Sequence, residues 1–261
     1  MPNIHIITVA TKPGGYLKWL EQSCKRNGTN LIILGMGSEW QGYITKYILM
    51  NEYLNKIPEE DIICFVDAYD VIMLQHIDIL RKKFIEYTEN TGYKLICAAD
   101  CTKKNDFLAS IWVTWYYNIG KDQDIIINSG TYIGYAGYIN LMYKDMIKIY
   151  NSNNLLSDDQ FLLNKFYINH KNEILIDKNN KFFLCEGLQN IIHTKKDSDD
   201  FVFIHRPANN EMISVLIQNG YKFDVNEIIN LSSSEIQYFI KKSSNHLKHA
   251  TEFAKAKLNN K

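Results

Sequence analysis

The stretch Ile62-Ile63-Cys64-Phe65-Val66-Asp67-Ala68-Tyr69-Asp70-Val71-Ile72 passes from an apolar run to two carboxylates three positions apart. The apolar run predicts a strand that is buried on both faces, as in a parallel sheet. Asp67 then lies where the strand leaves the sheet, which is where open α/β folds bind ligands. Asp67 and Asp70 can hold a hard divalent cation, and such a cation can carry a diphosphate. The stretch has the outline of a nucleotide-sugar transferase site, although the motif alone fits a solvated turn equally well.

The length and the charge balance narrow the class of protein. The 261 residues fit one large α/β domain, with or without a small appendage. Hydrophobic residues make up 46% of the chain and charged residues 22%, so the chain can bury a substantial core. Lysine plus arginine equals aspartate plus glutamate, at 29 each, which gives no support to a nucleic-acid or membrane-surface partner.

Targeting signals and cysteine usage bear on the compartment. The first residues, Met1-Pro2-Asn3-Ile4-His5-Ile6-Ile7, lack the basic and apolar regions of a signal peptide. No apolar run is long enough to span a bilayer. The five cysteines are odd in number and scattered, which favours reduced thiols. We therefore expect a cytoplasmic protein.

Strand-like and helix-like segments alternate through the first hundred residues. The predicted strands are Ile4–Val9, Leu31–Leu34, Ile62–Val66 and Leu95–Ala99, and the predicted helices are Tyr16–Lys25, Thr45–Leu54 and Ile77–Tyr87. This alternation predicts an α/β fold with a mainly parallel central sheet covered by helices on both faces.

The second half is less regular. A strand over Ile125–Ile127 leads into Asn128-Ser129-Gly130, which has the composition of a turn. Further predicted segments are helices over Ile139–Ile149 and from Ser157 or Asp158 onward, and short strands at Glu173–Ile176, Lys181–Leu184 and Phe201–Ile204. The aromatic-rich segment Ala109–Asn118 fits a packed helix or a loop beside the site.

The last thirty or so residues have a different pattern. Ser232-Ser233-Ser234-Glu235 is a capping box, and the apolar residues after it recur at helical spacing. We therefore predict a main domain over 1–231 and an amphipathic helix over 232–261. This helix would dock on the domain or on a second copy of the chain, forming a homodimer.

Other residues are candidates for chemistry, each with a structural alternative. Asp158 and Asp159 would normally cap a helix, but they could also orient a sugar hydroxyl or act as a general base. His205 ends an apolar run and is a good third ligand for a divalent metal, although most such histidines are structural. Gly130 would let the backbone approach a ligand closely. Trp40 is either a core residue or a platform for a base or sugar.

A competing chemistry comes from His76-Ile77-Asp78, which matches the start of an iron-binding facial triad. Oxygenases with that triad have a mainly antiparallel barrel. The strand–helix alternation of this chain argues against it.

Several of these motifs occur together in a fixed order. They are Thr8-Val9-Ala10-Thr11, Gly15-Tyr16-Leu17, Leu34-Gly35-Met36-Gly37-Ser38-Glu39-Trp40, the Phe65–Ile72 stretch, Asn128-Ser129-Gly130 with Ile133-Gly134, and Asp158-Asp159-Gln160. From Ile4 to His205 the chain resembles the glycosyltransferase domain of the multifunctional procollagen lysyl hydroxylases, and more distantly the collagen galactosyltransferases.

The resemblance implies a GT-A type fold, a UDP-sugar donor and Mn²⁺. By position, Asp67, Asp70 and His205 match the metal ligands, and Tyr69 matches the aromatic residue that packs on the uracil. The remaining matches are donor-site positions at Thr11, Trp40, Lys46, Asn128 and Gly130, and an acidic cluster near the sugar and acceptor at Asp158 and Asp159. The family has a longer aspartate run at that cluster.

The resemblance also implies an activity. We expect transfer of glucose from UDP-glucose to galactosyl-hydroxylysine of a collagen-like polypeptide, with retention of configuration. The alternatives are transfer of galactose from UDP-galactose to hydroxylysine, and a catalytically silent nucleotide- or glycan-binding module. The segment Arg206-Pro207-Ala208-Asn209-Asn210 replaces a glycine-rich stretch of the family, so the diphosphate contacts of that stretch are not carried over.

Overall fold

A computed structural model describes residues 2–100, 126–152, 158–186, 200–207, 212–231, 236–237 and 240. The aromatic-rich segment Ala109–Asn118 and most of the predicted terminal helix lie outside the described residues. The described part is an α/β fold with one large and one small sheet.

The strands are β1 (Ile4–Val9), β2 (Leu31–Leu34), β3 (Ile62–Val66), β4 (Val71–Met73), β5 (Leu95–Ala99), β6 (Ile127–Tyr135), β7 (Ile174–Asp177), β8 (Phe183–Cys185) and β9 (Phe203–His205). The helices are α1 (Leu17–Arg26), α2 (Tyr43–Leu54), α3 (Ile77–Thr91), α4 (Ala136–Ser152), α5 (Asp159–Asn169), α6 (Met212–Gln218) and α7 (225–231). Strands β1, β2, β3 and β5 lie where the sequence predicts them.

The large sheet has six strands in the order β2-β1-β3-β6-β5-β7. Parallel pairs join β1 to β2 and β3, and β5 to β7, whereas β6 runs antiparallel to both β3 and β5. All strands except β6 therefore share one direction, which confirms the predicted mainly parallel sheet. The antiparallel strand in its middle is not predicted by the sequence pattern.

Strand β6 differs from its prediction in a second way. Asn128-Ser129-Gly130 is not a turn but part of a nine-residue strand. The strand continues because its backbone stays paired, with Thr131 opposite Val66 and the Asp67 amide donating to the Gly130 carbonyl oxygen at 2.7 Å. Asn128 and Ser129 are buried but hydrogen-bonded, so burial of these polar groups is compensated.

Helices cover both faces of the large sheet, as predicted. Alternate residues along a strand point to opposite faces, so Phe65 packs with α2, α4 and α5 on one face, while Cys64 packs with α1 and α3 on the other. The described cysteines Cys24, Cys64, Cys97 and Cys185 are buried free thiols, in agreement with the predicted reduced state.

The small sheet has the order β4-β9-β8. Strand β4 pairs antiparallel with β9, which places Val71 opposite His205. Because Asp70 directly precedes β4 and His205 ends β9, this pairing brings together two residues that are far apart in sequence. The sequence pattern predicts a strand near β9 but none at β4.

The start of the predicted terminal helix is helical at the few residues described there. Ile236 and Ile240 are exposed, so they do not pack on the described part of the domain. The homodimer through this helix and the cytoplasmic location stay predictions. Within the described ranges, no helix combines the length and the hydropathy that a membrane span requires.

Candidate metal centre and donor site

The two aspartates of the opening motif lie at the junction of the two sheets. Asp67 follows β3, and its amide is fixed by the carbonyl of Gly130 on the neighbouring strand. Asp70 precedes β4 and is buried, and its carbonyl oxygen accepts a 2.9 Å hydrogen bond from the Arg206 amide. Backbone pairing on both sides therefore holds the turn that carries the two carboxylates.

His205 completes a cluster with these carboxylates. Its Nε2 lies 3.3 Å from Asp70 Oδ1 and 3.9 Å from Asp67 Oδ2. One potential ligand atom from each of the three residues lies within 4.8 Å of the others. The Nε2 atom is buried and makes no hydrogen bond to any described residue. Two carboxylates and an imidazole nitrogen are a donor set that suits a divalent cation such as Mn²⁺, so the residues fit the predicted metal.

Gly130 lies against this cluster from the side of β6. A Cβ atom at this position would lie 2.3 Å from His205 Cε1 and 2.7 Å from Asp67 Oδ2. Both distances are far shorter than a van der Waals contact. Only glycine fits here, because the backbone packs closely against His205 and Asp67. The sequence predicted a close approach of this backbone to a ligand, but not to these side chains.

Lys46 connects the cluster of Asp67, Asp70 and His205 to the second acidic pair. Its buried Nζ donates to Asp159 Oδ2 at 2.8 Å and to the Ser129 carbonyl oxygen at 3.2 Å, and it lies 3.8 Å from Asp67 Oδ1. The ammonium also lies over the ring of Phe65, 4.1 Å from its centroid. The sequence suggested Lys46 only as a donor-pocket position, and nothing in its helical pattern indicated the link between Asp67 and Asp159.

The electrostatics of the cluster follow from this crowding. Desolvation raises the pKa of Asp67, Lys46 lowers it, Asp70 raises it further, and the net pKa lies above the ordinary value. The Asp67 side chain is 40% exposed, which limits the effect. Burial alone would lower the pKa of Lys46, but Asp159 and Asp67 outweigh burial, so its pKa is raised and the ammonium stays charged. The site thus holds a buried positive charge beside the Asp67 carboxyl, whose ionised form is partly disfavoured.

The two residues of the second acidic pair, Asp158 and Asp159, make different contacts. Asp158 is the N-cap of α5, and its Oδ1 accepts hydrogen bonds from the amides of Gln160 and Phe161 at 2.9 and 3.2 Å. Asp159 is buried and pairs with Lys46. The structure thus gives Asp158 a helix-capping role and brings Asp159, through Lys46, close to Asp67.

The remaining donor-site candidates lie on loops that follow the strands of the large sheet. The Thr11 carbonyl oxygen accepts a 2.9 Å hydrogen bond from the Gly37 amide, which ties the loop after β1 to the loop after β2. Trp40 is 46% exposed and meets Tyr43 edge-on, so its core alternative is wrong. Tyr69 is partly buried, and its hydroxyl donates to the Lys12 carbonyl oxygen at 2.9 Å. Both aromatic side chains are at least partly exposed, as a platform for a ligand requires.

The facial-triad alternative fails on local structure. His76 is the N-cap of α3, and its Nδ1 accepts a 3.3 Å hydrogen bond from the Asp78 amide. Both side chains are exposed, and the described metal-type cluster does not include them. The surrounding sheet is mainly parallel, which the oxygenase barrel is not.

Asp100 and Gln160 lie near the cluster but were not predicted as site residues, although Gln160 belongs to the Asp158-Asp159-Gln160 motif. Gln160 Nε2 donates to Asp100 Oδ2 at 2.8 Å, and Gln160 Oε1 lies 3.5 Å from Asn128 Nδ2. Asn128 was predicted as a donor-site residue, but its Oδ1 lies 3.1 Å from His205 Nδ1. A single polar residue after an aspartate pair carries no signal for such contacts, because they depend on which strands become neighbours.

Comparison with known proteins gives one family. The model of the PLOD GT domain matches residues 1–239. A multifunctional procollagen lysine hydroxylase and glycosyltransferase from Caenorhabditis elegans is 26% identical over 208 residues, which cover 74% of this chain and 26% of that protein.

Two human proteins are similar as well. The procollagen-lysine,2-oxoglutarate 5-dioxygenase 2 of Homo sapiens is 31% identical over 174 residues, and the human multifunctional enzyme LH3 is 29% identical over 188 residues. Each match covers 62% of this chain and 22% of the human protein, so the chain corresponds to about a quarter of these relatives or less. With a family model that spans nearly all of the described fold, the chain belongs to the family of PLOD GT domains, which are glycosyltransferase domains of GT-A type.

Proposed function

We propose that this domain is a Mn²⁺-dependent transferase that moves glucose from UDP-glucose to galactosyl-hydroxylysine of a collagen-like polypeptide. The observation that carries the proposal is the buried Nε2 atom of His205, which makes no hydrogen bond to a described residue and faces Asp67 and Asp70. Family membership makes a sugar transfer the relevant chemistry.

In this proposal Asp67, Asp70 and His205 hold the metal. When bound, Mn²⁺ supplies positive charge that stabilises the departing diphosphate. Asp67 directly follows β3, Asp70 directly precedes β4 and His205 ends β9. Because these strands are hydrogen-bonded to their neighbours, the ligands would be held in place before the cation arrives.

The other residues bind and orient the substrates. Lys46 keeps a buried positive charge close to Asp67, where it offsets part of the carboxylate charge before and during donor binding. Tyr69 and Trp40 offer aromatic faces on neighbouring loops, for the uracil and for the base or sugar respectively. Asp158 and Asp159 already bind the α5 amides and Lys46, so orienting a sugar hydroxyl suits them better than abstracting a proton.

The acceptor is proposed from the names of the relatives, which describe enzymes acting on procollagen lysine. Glucose transfer to galactosyl-hydroxylysine would follow an earlier galactosylation. The alternative is that this domain itself transfers galactose from UDP-galactose to hydroxylysine.

The experiment is a UDP-release assay with UDP-glucose or UDP-galactose, each with galactosyl-hydroxylysine and with hydroxylysine peptides, in Mn²⁺ or in EDTA. We expect release to be fastest with UDP-glucose, the galactosylated peptide and Mn²⁺, and to vanish in EDTA. Preference for UDP-galactose and plain hydroxylysine would establish the alternative. UDP binding by calorimetry without any transfer would show a silent module and refute the proposal.

Variants assign the metal site within the same assay. Asp67→Asn and Asp70→Asn should abolish transfer and Mn²⁺ binding together, because each removes one charged ligand. Asp78→Asn is the matched control, since Asp78 is an exposed carboxylate outside the cluster. Full turnover by Asp67→Asn would show that the metal assignment is wrong.

A further inference from the structure

The imidazole of His205 is buried between groups that favour different tautomers. Its Nε2 faces two hydrogen-bond acceptors, Asp70 Oδ1 at 3.3 Å and Asp67 Oδ2 at 3.9 Å. Its Nδ1 lies 3.1 Å from Asn128 Oδ1. A neutral imidazole carries one ring proton. A proton on Nε2 would point at the carboxylates and occupy the lone pair that a metal needs, whereas a proton on Nδ1 leaves that lone pair available.

The orientation of the Asn128 amide favours the tautomer with the proton on Nδ1, whose other neighbour, Cys185 Sγ at 3.8 Å, is only a weak hydrogen-bonding group. The Gly130 amide donates to Asn128 Oδ1 at 2.8 Å, and a backbone N–H can only donate. The oxygen of the Asn128 side chain is therefore the atom that lies beside His205 Nδ1. An amide oxygen at that place can accept a hydrogen bond from a protonated Nδ1 but cannot donate one to an unprotonated Nδ1.

A second amide supports this orientation. Gln160 Nε2 donates to Asp100 Oδ2 at 2.8 Å, and a carboxylate only accepts. Gln160 Oε1 then faces the other way and lies 3.5 Å from both Asn128 Nδ2 and the Ser129 amide. Asn128, Gln160 and Asp100 thus form a hydrogen-bond chain with one direction, in which each group donates to the next, from the His205 imidazole at one end to the Asp100 carboxylate at the other.

We infer that Asn128 and Gln160 are positioning residues that keep the His205 proton on Nδ1 and so leave Nε2 free to bind a divalent cation. The inference rests on the proposed metal centre and deepens it. It also gives Gln160 a role, because the Gln160 side chain connects the start of α5 to His205 through Asn128. Hydrogen bonds to the outer nitrogen of a ligating histidine commonly set its tautomer and strengthen metal binding.

The test measures the tautomer directly in the metal-free protein. Long-range ¹H–¹⁵N correlation spectra of histidine-labelled protein distinguish a protonated Nδ1 from a protonated Nε2. We expect His205 to carry its proton on Nδ1 in the wild type. Asn128→Leu should shift the proton from Nδ1 to Nε2, because Nε2–H can donate a hydrogen bond to Asp70. Mn²⁺ affinity, followed by electron paramagnetic resonance, should fall about 10- to 100-fold in this variant.

Further variants separate the hydrogen bond from packing. Asn128→Asp keeps an acceptor for both His205 Nδ1 and the Gly130 amide, so the Nδ1 tautomer should persist. Gln160→Met should weaken Mn²⁺ binding by less than about tenfold, because the Gly130 amide still holds Asn128. Asn164→Leu is the control for loss of a buried amide: Asn164 bonds the backbone of Ile127 at 3.0 Å and the Gln160 carbonyl oxygen at 2.7 Å, but these hydrogen bonds involve neither the Gln160 side chain nor His205.

The outcomes distinguish the inference about the His205 tautomer from the proposed metal centre. A wild-type proton on Nε2, or an unchanged tautomer and Mn²⁺ affinity in Asn128→Leu, would overturn the inference. An unchanged affinity in Gln160→Met would overturn the part that involves Gln160. A wild-type protein with the Nδ1 tautomer but no Mn²⁺ binding would refute both the metal centre and the purpose assigned to the chain. UDP-sugar transfer is not used as a readout, so failure of the donor or acceptor assignment leaves these results unaffected.

Discussion

At the scale of single residues, the absence of a side chain at Gly130 leaves the space that the His205 ring and the Asp67 carboxylate occupy. We predict that Gly130→Ala weakens Mn²⁺ binding about 10- to 100-fold, because the new methyl group would displace the His205 ring or the Asp67 carboxylate. Isothermal titration with Mn²⁺ measures the change. Gly14→Ala is a suitable control, since a Cβ there would meet only Tyr69 Cε1, at 3.9 Å. Equal affinities for Gly130→Ala and the wild type would contradict the close packing described here.

Lys46 gives a second prediction at this scale. Lys46→Met removes the partner of a buried carboxylate and should lower the free energy of unfolding by about 3–5 kcal/mol. Urea unfolding measures the loss. Adding Asp159→Asn should recover part of the stability, because it removes the charge left unpaired. If the double variant is no more stable than the single one, Asp159 is not the group that Lys46 compensates.

Residue types predicted part of the site and not the rest. Asp67, Asp70 and His205 were candidates because each follows or ends an apolar run, and strand ends are where ligands bind. Asn128, Gln160 and Asp100 form contacts that depend on the strand order. No local pattern encodes that order, so their connection could not be predicted.

At the scale of elements, polar residues in a buried strand were the main source of error. Asn128-Ser129-Gly130 has turn composition, yet it continues β6 because its polar groups find partners on α5 and β9. Propensity scales describe isolated segments, whereas these residues are stabilised by neighbours that fold elsewhere in the sequence. Apolar strands such as β3 and β5 were predicted correctly because burial alone explains them.

The junction of α5, β5 and β7 gives a prediction about pH. Hydrogen bonds from Lys94 and His170 lower the pKa of Glu173 from 4.5 to about 2. A lowered pKa in the folded state stabilises the fold at pH values above the pKa of the unfolded state. This contribution disappears as the pH falls from about 4.5 to about 2. Glu173→Gln should therefore lose stability less steeply over that window than the wild type. Its side chain is 34% exposed, so the effect is smaller than for a buried pair.

Thermal unfolding at a series of pH values compares the two proteins. Glu89→Gln, which removes an exposed carboxylate from α3, serves as the control. Identical slopes for Glu173→Gln and the wild type below about pH 4.5 would show that the Lys94 and His170 contacts contribute nothing in solution.

At the scale of the whole molecule, the alternation of strands and helices was enough to predict the mainly parallel sheet. The antiparallel direction of β6 and the existence of β4 were not predicted. A strand of three residues has too little pattern to detect, and hydrophobic period does not specify strand direction. The pairing of β4 with β9 is the step that turns three separate sequence candidates into one cluster.

This architecture predicts a coupling between metal binding and global stability. Mn²⁺ at a hundredfold excess over its dissociation constant should stabilise the folded state by about 2.7 kcal/mol and raise the melting temperature. Differential scanning fluorimetry with and without Mn²⁺ measures the shift. Asp70→Asn should abolish the shift and Asp78→Asn should retain it. A similar shift in Asp70→Asn would place the cation elsewhere on the protein.

The position of β9 in the chain has a consequence for biosynthesis. Ribosomes release the turn that carries Asp67 and Asp70 well before they release His205, so over that interval a nascent chain has the two carboxylates without the imidazole. In the proposed metal centre, Mn²⁺ therefore meets all three ligands only when β9 docks between β4 and β8. We expect the ion to favour that late step of folding rather than the pairing of β1 to β5.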